Sequence, residues 1–446
     1  MNLRGVMLGL AASSFVFVAV AQQPPSAPLT LTLQDALSRA RANSTQFQAA
    51  VTDFAVAHQD TVQARAGLLP SVNFHNQFIY TQGSGATISV TGNPASTTTA
   101  APIFIANNAV HEYVSQGVVE QNLSVVQWID YRRAQALEAV ARVKSEIASR
   151  GLVVTVVQDY YGLLSAQRKY ANAQLGATEA QSFLDLSHKL EHGGEVAHSD
   201  VIKAQIQAND RGRDLREAQL AMDKARLDLA VLLFPNFDEN YTVVDDSELA
   251  PPLAAFDEFA RAAQKNNADV RLSTEELNAA GHELGSARAG FLPSLTLDYF
   301  YGIDAPQFAT RGPDGVNNLG YAASATLNIP IWNWGATRSK VIQAGLRQKQ
   351  AQRELSLAQR KLLADMRTLH AEASAALSEL QLLKDSADLA AESLRLINLR
   401  YRGGEATVLE VVDAQNTLTQ ARNAWSDGVV RYRAALADLQ TLTGTM

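Results

Sequence analysis

Two periodicities divide the chain. Val72, Phe74, Phe78 and Tyr80 are apolar, while Ser71, Asn73, His75, Gln77 and Thr81 between them are mostly polar. That period of two is the mark of a strand with one apolar face. Leu295, Leu297, Tyr299 and Tyr301 alternate in the same way with Ser294, Thr296 and Asp298, and Tyr321, Ala323, Ala325, Leu327 and Ile329 with Ser324, Thr326 and Asn328. Tyr113 to Val125 alternates less cleanly. The pattern predicts strands over about 70–82, 112–127, 293–303 and 319–331. Elsewhere the spacing is helical. Residues 33 to 67 are Ala-rich and Pro-free, and this helix should stop before Pro70, because proline disfavours α geometry in the residue before it. Long helices are expected from about 129 to 190 and from 335 to 400, with apolar spacing such as Leu137, Val140, Val143 and Ile147. At 1.5 Å per residue each would run roughly 90 to 100 Å, more than one globular core needs. The last helix carries Trp425, Val429, Tyr432, Leu436 and Leu439 at alternating steps of four and three, the narrow seam of coiled-coil packing.

The elements come twice. Ala64-Arg65-Ala66-Gly67-Leu68-Leu69-Pro70-Ser71 recurs as Ala287-Arg288-Ala289-Gly290-Phe291-Leu292-Pro293-Ser294, 223 positions later. Leu123 and Trp128 match Leu327 and Trp332 at an offset of 204, and Gly193-Gly194-Glu195 matches Gly403-Gly404-Glu405 at 210. Markers in a shared order make the chain a tandem duplication. Each half reads helix, strand, strand, long helix, Gly-Gly turn, helix. The first repeat spans 22–234 with its turn at 193–197, and the second spans 254–446 with its turn at 402–407. The Pro-containing stretch 235–253, with strand-like Tyr241 to Val244, joins them. The uncharged segment from Gln82 to Ala109 reads as an external loop, with a partly ordered cap as the alternative.

Residues 1–21 read as a secretory signal: Arg4, the apolar run from Val6 to Val20, and small Ala19 and Ala21 before the expected cut. A membrane anchor is the alternative, but the run falls short of the roughly 20 residues a spanning helix needs. No later stretch is long and apolar enough, so a bilayer could be crossed only as β-structure. Four strands cannot close a barrel, since the smallest membrane barrels use eight. Two chains would supply eight strands and three would supply twelve; a soluble sheet packed on helices is the other reading.

Composition narrows the chemistry. The 446 residues include no Cys, which removes disulfides, thiolate metal sites, a Cys nucleophile and an acylated N-terminal Cys. A net charge of −7 without a dense basic run argues against nucleic acid as a partner. No phosphate-binding loop, nucleophile elbow or dinucleotide fingerprint occurs, so no enzyme and no cofactor is expected. His188 and His192, four apart beside Glu191 and close to His198, have a spacing that can hold zinc; a solvated polar turn is the simpler reading, and no metal is expected.

The repeated Ala-Arg-Ala-Gly-x-Leu-Pro-Ser junction, the Leu-x-x-x-x-Trp strand ends and the run from Tyr401 and Gly404 to Asp413-Ala414-Gln415 resemble the TolC-type outer membrane efflux proteins, over roughly 31–442. That resemblance implies a mainly α fold with a small β part. It implies a homotrimer, with a 12-stranded barrel in outer-membrane lipid and a long helical barrel in the periplasm of a bacterial cell. It also implies a passive exit duct for small molecules or secreted protein, joined through a periplasmic adaptor to an inner-membrane transporter. A soluble coiled-coil-rich periplasmic scaffold is the alternative. By the same resemblance, Glu410 and Asp413 form acidic rings at the closed entrance, and Asp200 ties neighbouring helices shut with Tyr401. A solvated helix start is the plain alternative for the acidic pair. Many relatives carry an arginine where Ala406 stands; either the latch is weaker here, or Arg402 or Lys203 replaces it. Gly193, Gly194, Gly403 and Gly404 are read as adaptor-docking tips, which are also left-handed helix ends. Pro70, Pro293, Trp128 and Trp332 mark the junction of barrel and tunnel, where the tryptophans end strands as interfacial aromatics or wall packing.

Overall fold

A computed structural model describes residues 29–80, 111–236, 239–245, 251–313 and 315–445. The expected signal, 1–21, and the 82–109 loop lie outside them. In chain order the first half contains β1 (Leu29–Leu31), α1 (Leu33–Asn43), α2 (Thr45–Ala66), β2 (Ser71–Tyr80), β3 (His111–Leu123), α3 (Val125–His192) and α4 (His198–Leu233). After β4 (Tyr241–Val243) the second half repeats the plan: α5 (Phe256–Asn266), α6 (Ala268–Ala289), β5 (Ser294–Ala305), β6 (Leu319–Asn328), α7 (Ala336–Arg402) and α8 (Val408–Thr443).

Several boundaries differ from the sequence expectation. The single helix expected over 33–67 is two helices. Ser44 closes α1 and its hydroxyl accepts the Phe47 N–H at 3.3 Å to start α2. Asn267 does the same between α5 and α6, accepting from Val270 at 2.9 Å. A polar side chain that satisfies an orphan N–H makes such a break cheap. The strand expected to reach 127 ends at Leu123, because the Ser124 hydroxyl caps α3 through the Gln127 N–H. Trp128 therefore stands on the start of α3 and does not end a strand. The strand expected to reach 331 ends at Asn328, short of Pro330, which has no N–H to give the ladder. Trp332 accordingly lies in the irregular β6–α7 connector.

The helices make a wall. The 68-residue α3 and 67-residue α7 each run about 100 Å. In each half the shorter helices stack end to end along the long one: α2 and α4 pack on α3, and α6 and α8 on α7. The halves join because α3 also packs on α6 and α8. The lateral order is thus α2–α3–α6–α7 near the sheet and α4–α3–α8–α7 farther away. Arg150 of α3 staples the seam, donating to the carbonyls of Asn266 at 3.2 Å and Thr441 at 3.1 Å. Midway along α3, β1 and β4 pair in parallel, a contact between distant segments that the sequence did not announce. Tyr160 fixes it by donating to Val244 O at 2.7 Å and Leu31 O at 3.2 Å. Leu152, Val156, Tyr161, Leu229 and Leu233 fill the core around it.

The remaining strands form one antiparallel sheet ordered β2-β3-β5-β6. Its halves meet at β3–β5, so β2 and β6 are both bare edges. The edge helices are likewise bare: Val51, Val56 and Val62 on α2, Ile202, Ile206 and Leu220 on α4, and Leu382, Leu389 and Leu396 on α7 are all exposed. No helix among the described residues is long and apolar enough to cross a membrane.

Candidate functional site

The strand register sorts the sheet's side chains into two faces. Val72, Val119, Tyr299 and Ala323 lie side by side across it, as do Phe74, Gly117, Tyr301 and Tyr321. On the other face Ser71, Glu120, Asp298 and Ser324 line up, with the Ser324 hydroxyl donating to Asp298 at 3.0 Å. That face carries Glu112, Glu120, Asp298 and Asp304, and no Lys or Arg occurs in the four strands. An apolar face backed by a polar one is the pattern of a membrane barrel wall. Pro70 and Pro293 stand one residue before β2 and β5, where the missing N–H costs the ladder nothing.

The far ends of the long helices carry the two Gly-Gly turns. Gly194 (φ +77°) and Gly404 (φ +76°) are left-handed, the geometry for which glycine is the default residue. Gly193 and Gly403 are right-handed, at φ −76° and −85°, which corrects the expectation of four left-handed glycines. The turns are held against each other by Phe183 and Tyr401, whose rings are 4.9 Å apart. Tyr401 is buried and its hydroxyl is 3.3 Å from that of Ser187. Within one protomer Tyr401 is thus committed to α3, while Asp200 pairs with Lys203 at 3.0 Å.

At the second turn Thr407 and Glu410 form a capping box: each side chain reaches the other's backbone N–H. The free side of Glu410 faces Arg400, with Nη1 3.5 Å from Oε2. Arg400 also donates to the Glu405 carbonyl at 3.0 Å. The cation opposite Glu410 is therefore Arg400, where the sequence reading offered Arg402 or Lys203. A basic residue in the last turn of α7, facing the first turn of α8 across a tight turn, was the available signal. Asp413 is exposed and meets no cation within 4 Å among the described residues.

At the first turn, Glu191 accepts from His198 Nδ1 at 2.6 Å and lies 3.6 Å from His188 Nδ1. The His198 contact holds the Glu191 carboxyl below the ordinary carboxylate range. His192 instead turns its Nδ1 to the His188 carbonyl at 2.8 Å. Among the described residues no group of three or more His, Asp or Glu side chains is placed to hold a metal ion.

The family described as outer membrane efflux protein matches residues 260–445, the second repeat. The curated relatives extend the likeness over both repeats. TolC of Escherichia coli K12 is 21% identical over 99% of this chain and 86% of its own length. AprF, the alkaline protease secretion protein of Pseudomonas aeruginosa, is 24% identical over 93% and 85%. The second repeat thus matches the outer membrane efflux protein family, and both repeats are similar to TolC and AprF. The fold agrees: the CmeC outer membrane channel of Campylobacter jejuni superposes with a TM-score of 0.77 over 92% of this chain and 85% of that one, at 16% identity. The open MtrE channel of Neisseria gonorrhoeae gives 0.75 over 92% and 88%, at 19% identity. Consistent with these likenesses, the protein is an outer membrane channel with a large periplasmic helical part.

Two tryptophans of this outer membrane channel differ sharply in setting. Trp128 sits under the Arg132 guanidinium at 4.7 Å and lines a cavity of about 550 Å³ with Leu68, Leu123 and Pro293. Trp332 is 75% exposed, with Trp334 set edge-on 5.8 Å away.

Proposed function

We propose that three copies of this chain close a twelve-stranded barrel in the outer membrane and a helical tunnel below it, the passive exit duct of a tripartite efflux or type I secretion system. The observation that carries the reading is the four-stranded sheet: apolar on one face, polar and acidic on the other, and unpaired at both edges. In lipid each unpaired backbone group costs on the order of several kcal/mol. Closing β6 of one copy on β2 of the next removes both edges and turns the acidic face to a water-filled lumen. The same rotation covers the apolar stripes of α2, α4 and α7. A soluble scaffold would leave Val72, Phe74, Phe78 and Tyr321, each more than half exposed, facing water.

In such a trimer the second turns meet near the axis. Three copies of Glu410 and Asp413 would crowd like charge there, raising local cation concentration. Arg400 offsets one carboxylate of each pair. Exposed pairs of this kind contribute about 0 to 1 kcal/mol, a small barrier to an opening gate. Asp200 and Tyr401 are assigned to the latch between neighbouring helices. The Gly193-Gly194 and Gly403-Gly404 tips are the docking points for a periplasmic adaptor, and an inner-membrane transporter supplies the energy and chooses the cargo. Planar-bilayer recording tests the reading: the purified protein should give small, cation-preferring closed-state conductance. No conductance from folded oligomer would contradict it.

A further inference from the structure

The duplication lets the seam inside one chain serve as a template for the seam between two chains. Inside the chain, β3 of the first half pairs with β5 of the second, and α3 packs on α6 and α8. By repeat position, β6 and α7 correspond to β3 and α3, while β2, α2 and α4 correspond to β5, α6 and α8. The covered members are partly buried and the bare members are not: β3 and β5 contain mostly half-buried residues, β2 and β6 almost entirely exposed ones. Leu123 lies opposite Leu295 in the inner seam. Val119 lies opposite Tyr299 there, and since Val72 pairs with Val119 as its counterpart Leu295 pairs with Leu327, carrying the seam across the repeat places Leu327 opposite Asn76 of a second copy, then Thr326 opposite Gln77 and Ala325 opposite Phe78. The register keeps faces matched, apolar with apolar and polar with polar, as a sheet with one lipid-facing side requires.

The connectors add a specific contact. In the inner seam Trp128 and Leu123 of the first half line a cavity with Pro293 of the second. Their counterparts are Trp332, Leu327 and the second copy's Pro70. Here the structure departs from the template: α3 starts directly after its Ser124 cap, whereas seven residues, 329–335, separate β6 from α7. That longer connector holds out Ile331, Trp332 and Trp334, at 89%, 75% and 90% exposure. Trp334 is the only non-glycine with positive φ among the described residues, at 55°, a strained conformation that persists where surrounding contacts hold it. Among the described residues nothing covers this apolar projection. Leu69, 62% exposed beside Pro70, is the bare apolar surface that the β6–β2 pairing brings next to it.

We infer that Ile331, Trp332 and Trp334 form an assembly plug that seats on Leu69 and Pro70 at the α2–β2 junction of the neighbouring copy, with Leu327 paired to Asn76. The inference rests on the trimer reading and adds its register and its anchor. The absence of cysteine makes the test direct. Gln77→Cys with Thr326→Cys, and Phe78→Cys with Ala325→Cys, place thiols opposite each other only between copies. Within one chain these edge strands are three strand spacings apart, roughly 14 Å, too far for a disulfide. Mild oxidation in outer-membrane vesicles should link at least one matched pair into an SDS-stable multimer. Asn73→Cys with Thr326→Cys, slipped by four residues and so roughly 13 Å apart, should stay unlinked. In the same vesicles Trp332→Ser with Trp334→Ser should lower the temperature at which the unlinked oligomer dissociates. Brominated lipid should not quench the fluorescence lost with Trp332. Linking of the slipped pair alone would overturn the register. An oligomer equally stable without the tryptophans, with Trp332 quenched by lipid, would overturn the plug in favour of a membrane-interface anchor. A wild-type protein with no oligomer at all would instead overturn the trimer reading beneath both.

Discussion

The two helix turns share a sequence plan and a backbone but not a fastening. At the second, Thr407 and Glu410 cap α8 reciprocally, and Arg400 grips both Glu410 and the Glu405 carbonyl. At the first, the N-cap of α4 is Ala197, which makes no side-chain cap bond. The turn is closed between the helices, by His198 of α4 reaching back to Glu191 of α3. The duplicated backbone sets where each tip sits, while a few side chains decide how firmly and under what conditions each holds. An imidazole changes its charge near neutral pH, whereas an arginine keeps its own. The buried Phe183–Tyr401 contact couples the two, so loosening either tip is felt by the other.

The largest break in this comparison is expected at the turns themselves. Gly194→Val or Gly404→Val forces a β-branched residue into the left-handed region, at roughly 1–2 kcal/mol. Neither site has an atom within 4 Å of the added Cβ, so the damage should stay local. Export assayed by drug susceptibility should be abolished while the oligomer assembles; lost assembly would mean the glycines serve folding alone. Next comes Glu410→Gln with Asp413→Asn, which should reduce cation preference and raise closed-state conductance in planar bilayers. Asp200→Ala at the first tip should raise conductance less, and unchanged currents in both would remove these acids from the gate. Smaller again, Thr407→Ala should cost the start of α8 about 1 kcal/mol, and Ala197→Ser should add a similar or smaller amount to α4. Hydrogen exchange at the two helix starts reads both, and equal protection before and after would deny the difference in capping. The smallest effect concerns pH. Glu191 has a carboxyl held below its ordinary value of 4.5. Its contribution is therefore fully present above that value and is lost as pH falls through the lowered one. His198→Ala should move the Glu191 titration, followed by NMR, upward toward 4.5; an unmoved titration would show that the contact is idle in solution.

Much of this was legible because the signals are local. A period of two, a proline at a strand start and a Gly-Gly pair each constrain the backbone within a few residues, and their repetition at fixed offsets made the duplication plain. What escaped reading was of two kinds. Cap choices at Ser44, Ser124 and Asn267 hinge on one side chain, and the same residue types fill ordinary helix positions elsewhere. The β1–β4 pairing, the Arg400–Glu410 contact and the Tyr401–Ser187 contact join segments brought together by packing, which no spacing rule reveals. The Trp128 and Trp332 motifs match in sequence yet differ in setting, since Ser124 starts one helix at once while Pro330 delays the other.

The account stands on the sharing of four strands among several chains. The direct test is the mass of the detergent-extracted particle, measured by light scattering with the detergent contribution subtracted. Three protomers per particle, released only by detergent from the outer membrane, is the predicted result. A monomer that stays in solution without detergent would contradict it.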